Sequence, residues 1–135
     1  MGVEHCTVVS LPRIEDARGN LTFVEGAGHI SFEIRRAYWI YDVPGGAVRG
    51  GHAYATLHEF MIALSGSFDV EVDDGRTRRS ITLNRSYCGL YVPNMIWRQI
   101  GNFSTNAVCL ILASAAFSEV DYIRNYDEFL RGSAP

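Results

Sequence analysis

Short runs rich in Val, Ile, Leu, Phe and Tyr recur along this chain, and Gly, Pro, Asn or Asp interrupts them about every ten residues. Such punctuation leaves no room for long helices and predicts an all-β sandwich or barrel. The runs lie at 20–25, 33–42, 58–64, 67–72, 80–83, 89–92 and 108–113. The run at 67–72 ends in Asp73-Asp74-Gly75, a hairpin turn in which Gly takes a positive φ, and the chain resumes over 76–83. One helix is expected near the end, over 118–123, with Ser118 as N-cap and early acids; a further turn is expected at 127–130. At 135 residues the chain reads as one domain over 1–135, with 132–135 a frayed tail.

Composition narrows the function classes. A net charge of −3 gives no general pull toward nucleic acid. All twelve basic residues are arginine, whose planar fork suits phosphate. Cys6, Cys88 and Cys109 are odd in number and widely spaced, which fits neither a zinc site nor a disulfide framework. With no signal peptide read at the start, a reducing, cytoplasmic setting is expected. No apolar stretch approaches the roughly 20 residues of a membrane span, so no membrane role is expected.

Gly46, His52, Tyr54, Glu59 and Gly66 carry the chemistry. Their spacing resembles the first motif of the cupin barrel, G-x5-H-x-H-x4-E-x6-G. Pro93, Met95, Arg98 and Asn102 stand at the places of the second, P-x-G-x2-H-x3-N. The positions of the four metal ligands are thus His52, Tyr54, Glu59 and Arg98. Arginine has no free lone pair and tyrosine is a poor ligand for the usual divalent metals, so no metal is expected. Residues two apart on a strand project together. His52 and Tyr54 would then share one side, as imidazole and phenol suited to moving a proton. The plainer reading has His52 as a satisfied barrel histidine and Tyr54 as packing. Arg49 lies three residues before His52, and Arg35-Arg36 open the aromatic run Ala37-Tyr38-Trp39-Ile40-Tyr41. With Arg98 these arginines suit an anionic small molecule; alternatively they are outer-face charges.

The chain further resembles one cupin family, the bacterial sugar 3,4-ketoisomerases (WxcM-like). The resemblance rests on Asp16-Ala17-Arg18-Gly19-Asn20-Leu21, Arg35-Arg36-Ala37-Tyr38-Trp39-Ile40, Arg49-Gly50-Gly51-His52-Ala53-Tyr54, Gly89-Leu90-Tyr91-Val92 and Asp121-Tyr122-Ile123-Arg124-Asn125-Tyr126-Asp127. It implies a jelly-roll β-barrel that uses no cofactor. The implied partner is a second copy, as a homodimer exchanging an N-terminal strand. The implied substrate is a dTDP-linked 4-keto-6-deoxy sugar, dTDP-4-dehydro-6-deoxy-glucose. Its keto group moves from C4 to C3 by proton abstraction and reprotonation of an enediol, in deoxy amino sugar biosynthesis. His52 is then the base and Tyr54 the proton donor or relay. Arg18, Arg35, Tyr38, Arg49, Glu59 and Arg98 are the implied substrate-binding residues.

Family members usually carry histidine where Tyr54 stands, lysines where Ala55 and Thr56 stand, and often glutamine at Glu59. Arg18 and Arg98 occupy positions that vary. Tyr54 leaves three readings open. It replaces histidine as the acid, as tyrosine does in related dTDP-sugar 3,5-epimerases; it marks an epimerase-like paralogue; or it leaves a non-catalytic nucleotide-sugar-binding cupin.

Overall fold

The computed structural model describes residues 2–133. Two five-stranded antiparallel sheets face each other as a jelly roll. The first runs in the order β1 (Thr7–Ser10), β9 (Cys88–Val92), β6 (Glu59–Ser65), β11 (Val108–Ala113), β4 (Arg36–Ile40). The second runs β12 (Tyr122–Ile123), β5 (Arg49–Tyr54), β10 (Trp97–Gly101), β7 (Phe68–Asp73), β8 (Arg78–Leu83). A separate hairpin joins β2 (Arg13–Asp16) to β3 (Gly19–Thr22). Among the described residues no ladder joins the two large sheets, so they pack as a sandwich without closing into a continuous barrel.

Alternation builds the interior. Along β7, Phe68, Val70 and Val72 are fully buried while Asp69 and Glu71 point outward. They meet Met61 and Ala63 of β6, Cys109 and Ile111 of β11, and Ile100 of β10 in one core. Strand β6 is buried on both faces. Its Phe60 and Ile62 join Leu11, Ile30, Phe32 and Leu112 in a second cluster on the outer side of the first sheet. The β7–β8 turn forms as expected: Gly75 adopts φ +94°, and Asp74 Oδ1 accepts from the backbone N–H groups of Arg76 and Thr77, each at 2.9 Å.

The C-terminal segment departs from expectation. Residues 118–123 form a 3-10 turn (Glu119–Asp121) followed by β12, and the Ser118 side chain makes no capping bond. The α-helix is α1 (Tyr126–Ser133), capped by Asn125, whose Oδ1 accepts from Glu128 N at 3.0 Å. Two forces pull 118–123 out of helix. Tyr122 and Ile123 pair with Tyr54 and Ala53 on β5, and the Asp121 carboxylate is taken by the loop after β5. Helix α1 runs to Ser133 and so takes in 132–133 of the expected tail; 134–135 lie outside the described residues. Its Phe129 is fully buried against Trp97, ring centroids 5.8 Å apart. No described helix is long and apolar enough to cross a membrane.

Candidate active site

The site grows from the β5–β10 ladder. Arg98 stands opposite His52, and the register then slips so that Ile100 meets Arg49. Gly50 sits in that irregularity at φ +76°, a left-handed conformation that glycine adopts freely. A Cβ on Gly50 would also collide with Arg98 Nη1. The residue is thus glycine for two reasons, backbone sign and lack of room.

Arg98 is 2% and Glu59 1% exposed, an unusual burial for two charges. They form a two-pronged pair: Nε donates to Oε1 at 2.9 Å and Nη2 to Oε2 at 3.0 Å. The Tyr38 hydroxyl donates to Oε2 at 2.5 Å and accepts from Arg98 Nη2 at 3.1 Å. Arg98 Nη1 donates to the Gly50 carbonyl at 3.2 Å. Burial alone would favour the neutral guanidine, but Glu59, Tyr38 and Tyr54 outweigh it and hold Arg98 charged.

Against this network lie His52 and Tyr54, side by side as their spacing requires, with His52 Nε2 3.0 Å from Tyr54 Oη. Tyr122 from β12 closes the group: its ring centroid lies 5.0 Å from that of His52 and 4.7 Å from that of Tyr54. Burial first, then the positive charges of Arg98 and Arg124, pull the His52 pKa down to about 3, so its imidazole is neutral near pH 7. Burial first, then Glu59, raises the Tyr54 hydroxyl well above the ordinary tyrosine value. The phenol therefore keeps its proton beside the neutral imidazole. A neutral base and a protonated acid, hydrogen-bonded and shielded from water, are what proton shuttling between adjacent atoms requires.

The pair opens into a cavity of about 460 Å³, lined also by Arg49, Tyr38, Trp39, Tyr41 and Arg124. Of the residues singled out from sequence, His52, Tyr54, Tyr38, Arg49 and Arg98 line it, and Glu59 lies behind, bonded to Arg98 and Tyr38. Arg18 and Arg35 are not brought here. Arg18 sits in the β2–β3 turn, exposed and bonded to Asp16 at 2.8 Å; Arg35 is exposed and pairs with Glu33 at 2.9 Å. Three residues beside the pair were not among those expected to form the site: Arg36, Tyr122 and Arg124. Arg36 shares the inner face of β4 with Tyr38, stacking over its ring at 4.8 Å. The two-residue period would have preferred it to Arg35. Tyr122 and Arg124 are brought to the site by the C-terminal segment that pairs with β5.

These residues do not fit a metal. Both oxygens of Glu59 already accept hydrogen bonds, and the guanidinium at the fourth ligand position brings a positive charge. Among the described residues no three of His, Cys, Asp and Glu come together.

Comparison with known proteins gives the same architecture a family. The model of the family "FdtA: WxcM-like, C-terminal" matches residues 4–133. The chain belongs to that family. It is 40% identical over 122 residues to the TDP-4-oxo-6-deoxy-alpha-D-glucose-3,4-oxoisomerase of Aneurinibacillus thermoaerophilus, covering 90% of this chain and 88% of that protein. The crystal structure of a 3,4-ketoisomerase from Helicobacter canadensis superposes with a TM-score of 0.92 at 41% identity, covering 95% of this chain and 96% of that one. A histidine-to-asparagine variant of the 3,4-ketoisomerase QdtA from Thermoanaerobacterium thermosaccharolyticum, in complex with TDP-4-keto-6-deoxyglucose, superposes at 0.93 and 34% identity, covering 95% and 93%.

Proposed function

We propose that this protein is a sugar-nucleotide 3,4-ketoisomerase acting on dTDP-4-keto-6-deoxyglucose, in the formation of deoxy sugars. The observation that carries the reading is the buried His52–Tyr54 hydrogen bond at the floor of an arginine-rimmed cavity. Membership of a family whose named relatives perform this isomerisation supports it.

In this reading neutral His52 takes the proton from C3. A C3–C4 double bond forms as the C4 carbonyl oxygen gains negative charge, held near Arg98 and Arg49. Tyr54 carries the hydroxyl proton from the C3 oxygen to the C4 oxygen, and C4 is protonated from His52 after the imidazolium has exchanged its proton with solvent. Atoms and electrons balance within the substrate, so no redox partner is needed. Arg49, exposed at the mouth and without an ion-pair partner among the described residues, grips the diphosphate; Arg124 stands on the other side. Tyr38 and Glu59 act through Arg98, holding its charge in place.

The working unit is a homodimer in the cytoplasm that exchanges its N-terminal strand. Exposed Val8, Ile14, Leu21, Phe23 and Leu64 support a second copy, as does an apolar cavity of about 560 Å³ beside the β2–β3 hairpin. The hairpin carries Arg18, which would serve the neighbouring copy's site, and light scattering coupled to gel filtration tests the dimer. Cys6, Cys88 and Cys109 are all free, which suits a reducing compartment.

Incubation with dTDP-4-keto-6-deoxyglucose in D2O, followed by NMR, tests the reaction. The 3-keto sugar should form with deuterium at C4, and His52→Asn should abolish turnover while keeping dTDP bound. Thermal protection by dTDP with no change in the sugar would leave a binding protein and overturn the isomerase.

A further inference from the structure

This inference rests on the isomerase reading for its kinetics and on the fold alone for its titration. We propose that Tyr122 is a positioning residue for the His52–Tyr54 pair, held against it by Asp121. Strand β12 is two residues long, and among the described residues its only ladder is with β5, Tyr122 opposite Tyr54 and Ile123 opposite Ala53. So short a ladder holds poorly by itself. Asp121 supplies the missing hold. Its carboxylate accepts from Thr56 N at 2.9 Å, Thr56 Oγ1 at 2.8 Å and Leu57 N at 3.1 Å, and its carbonyl accepts from Ala55 N at 2.9 Å. All four donors lie in the loop that follows β5, so the clamp joins the segment carrying Tyr122 to the strand carrying the proton-transfer pair.

The clamped ring has a specific place. His52, Tyr54 and Tyr122 form a triangle of ring centroids 4.9, 5.0 and 4.7 Å apart. Arg124 caps Tyr122 at 4.2 Å, and Phe117 flanks it at 5.6 Å. The ring therefore limits the rotamers open to both reacting side chains and covers them from water. Misplacement of a reacting group by about 1 Å costs on the order of a hundredfold in rate. Around His52 the ionisable groups are Arg98 from β10, with Glu59 behind it from β6 and Tyr38 and Arg36 from β4. Arg49 and Tyr54 come from its own strand, and Tyr122 and Arg124 from the C-terminal segment. Tyr54 and Tyr122 touch the imidazole without bringing charge, and of the two only Tyr122 comes from outside the His52 strand. Its loss should let water reach His52 and raise the imidazole's proton affinity.

The test follows the His52 ring proton by NMR from pH 8 to pH 2 in the intact protein, with the resonance assigned from His52→Asn. Tyr122→Ala and Asp121→Asn are compared with wild type and with Tyr122→Phe, which keeps the ring. We expect His52 to titrate at least about one pH unit higher in Tyr122→Ala and in Asp121→Asn. Tyr122→Phe should stay with wild type. With dTDP-4-keto-6-deoxyglucose, kcat of Tyr122→Ala should fall tenfold or more, to on the order of a hundredfold, with KM little changed. Should Tyr122→Ala fail to fold, Asp121→Asn answers alone, because it loosens the clamp and leaves the ring. Equal titration of His52 in every folded variant would overturn the proposal. Absence of turnover in wild type would overturn the isomerase reading instead, and the titration would still decide the role of Tyr122.

Discussion

Replacing Arg98 by methionine removes one half of an ion pair that almost no water reaches. Glu59 would keep the Tyr38 hydroxyl and lose both guanidinium donors, and the Gly50 carbonyl would lose its partner as well. Breaking a buried pair from one side costs about 3–5 kcal/mol, chiefly because the remaining charge stays desolvated. Glu59→Gln strands the guanidinium and should cost about as much. The double variant removes both charges and leaves only lost neutral hydrogen bonds of about 1 kcal/mol each. The two single costs then sum to far more than the cost of the pair, with a coupling of about 3 kcal/mol or more, at the upper end for touching residues. With a urea slope of about 2 kcal/mol/M, each single variant should unfold roughly 2 M earlier than wild type. Urea titration of all four proteins at pH 7 and 20 °C measures the cycle. A cost below about 1 kcal/mol for Arg98→Met, or a coupling below about 0.5 kcal/mol, would refute the desolvated pair and with it the account of the fourth ligand position.

Three further outcomes follow from the same geometry. Gly50→Ala places a methyl against Arg98 Nη1 at a left-handed φ, so it should lose at least about 1–2 kcal/mol by urea unfolding and lower turnover through the displaced guanidinium. His52 is neutral in the folded protein down to about pH 3, whereas the unfolded chain binds its proton near 6.5. Its contribution is therefore fully present above pH 6.5 and lost as pH falls. Between pH 6.5 and 5, wild type should lose stability more steeply than His52→Asn, by up to about 1.4 kcal/mol per pH unit, as urea midpoints will report; equal slopes would contradict it. Tyr54→Phe removes the hydroxyl and keeps the ring, so kcat should fall on the order of 10²- to 10⁴-fold with the fold intact, while full activity would reduce Tyr54 to packing.

The strands that make the core were legible because they obey a two-residue period. Strand β11 occupies the span expected from its apolar run, and β7 differs by one residue at each end. Strands β5 and β10 were missing from the list of runs for the reason that makes them interesting. Their inward positions carry His52, Tyr54 and Arg98, and β5 opens on Arg49 and two glycines, so apolar alternation is absent where chemistry replaces it. Of the adjacent Arg35 and Arg36, alternation with Tyr38 could have separated inward from outward, and it places Arg36 inside. Local signals misled at Ser118, where a capping residue and early acids were present but tertiary pairing won. The spacing Asn125-Tyr126-Asp127-Glu128 carried the true capping signal. Tyr122 could not be found by any local rule, since its place depends on a ladder between residues 68 apart in sequence (122 − 54).

Tyr54 is best understood through what Arg98 does to the neighbouring positions. In a metal-binding arrangement the four ligand positions are tied together, because each must supply a lone pair to one ion. Here Glu59 and Arg98 satisfy each other, with Tyr38 completing the carboxylate's bonds. That frees positions 52 and 54 from any shared ligand duty. What remains is a requirement for one group that accepts a proton and one that holds it, within hydrogen-bond reach. Imidazole and phenol at 3.0 Å meet that requirement as well as two imidazoles would, and burial pushes their proton affinities apart in the useful direction. Burial also makes the arrangement depend on whatever keeps water out, which is why an anchored ring from the far end of the chain belongs to the argument as much as the two residues it covers.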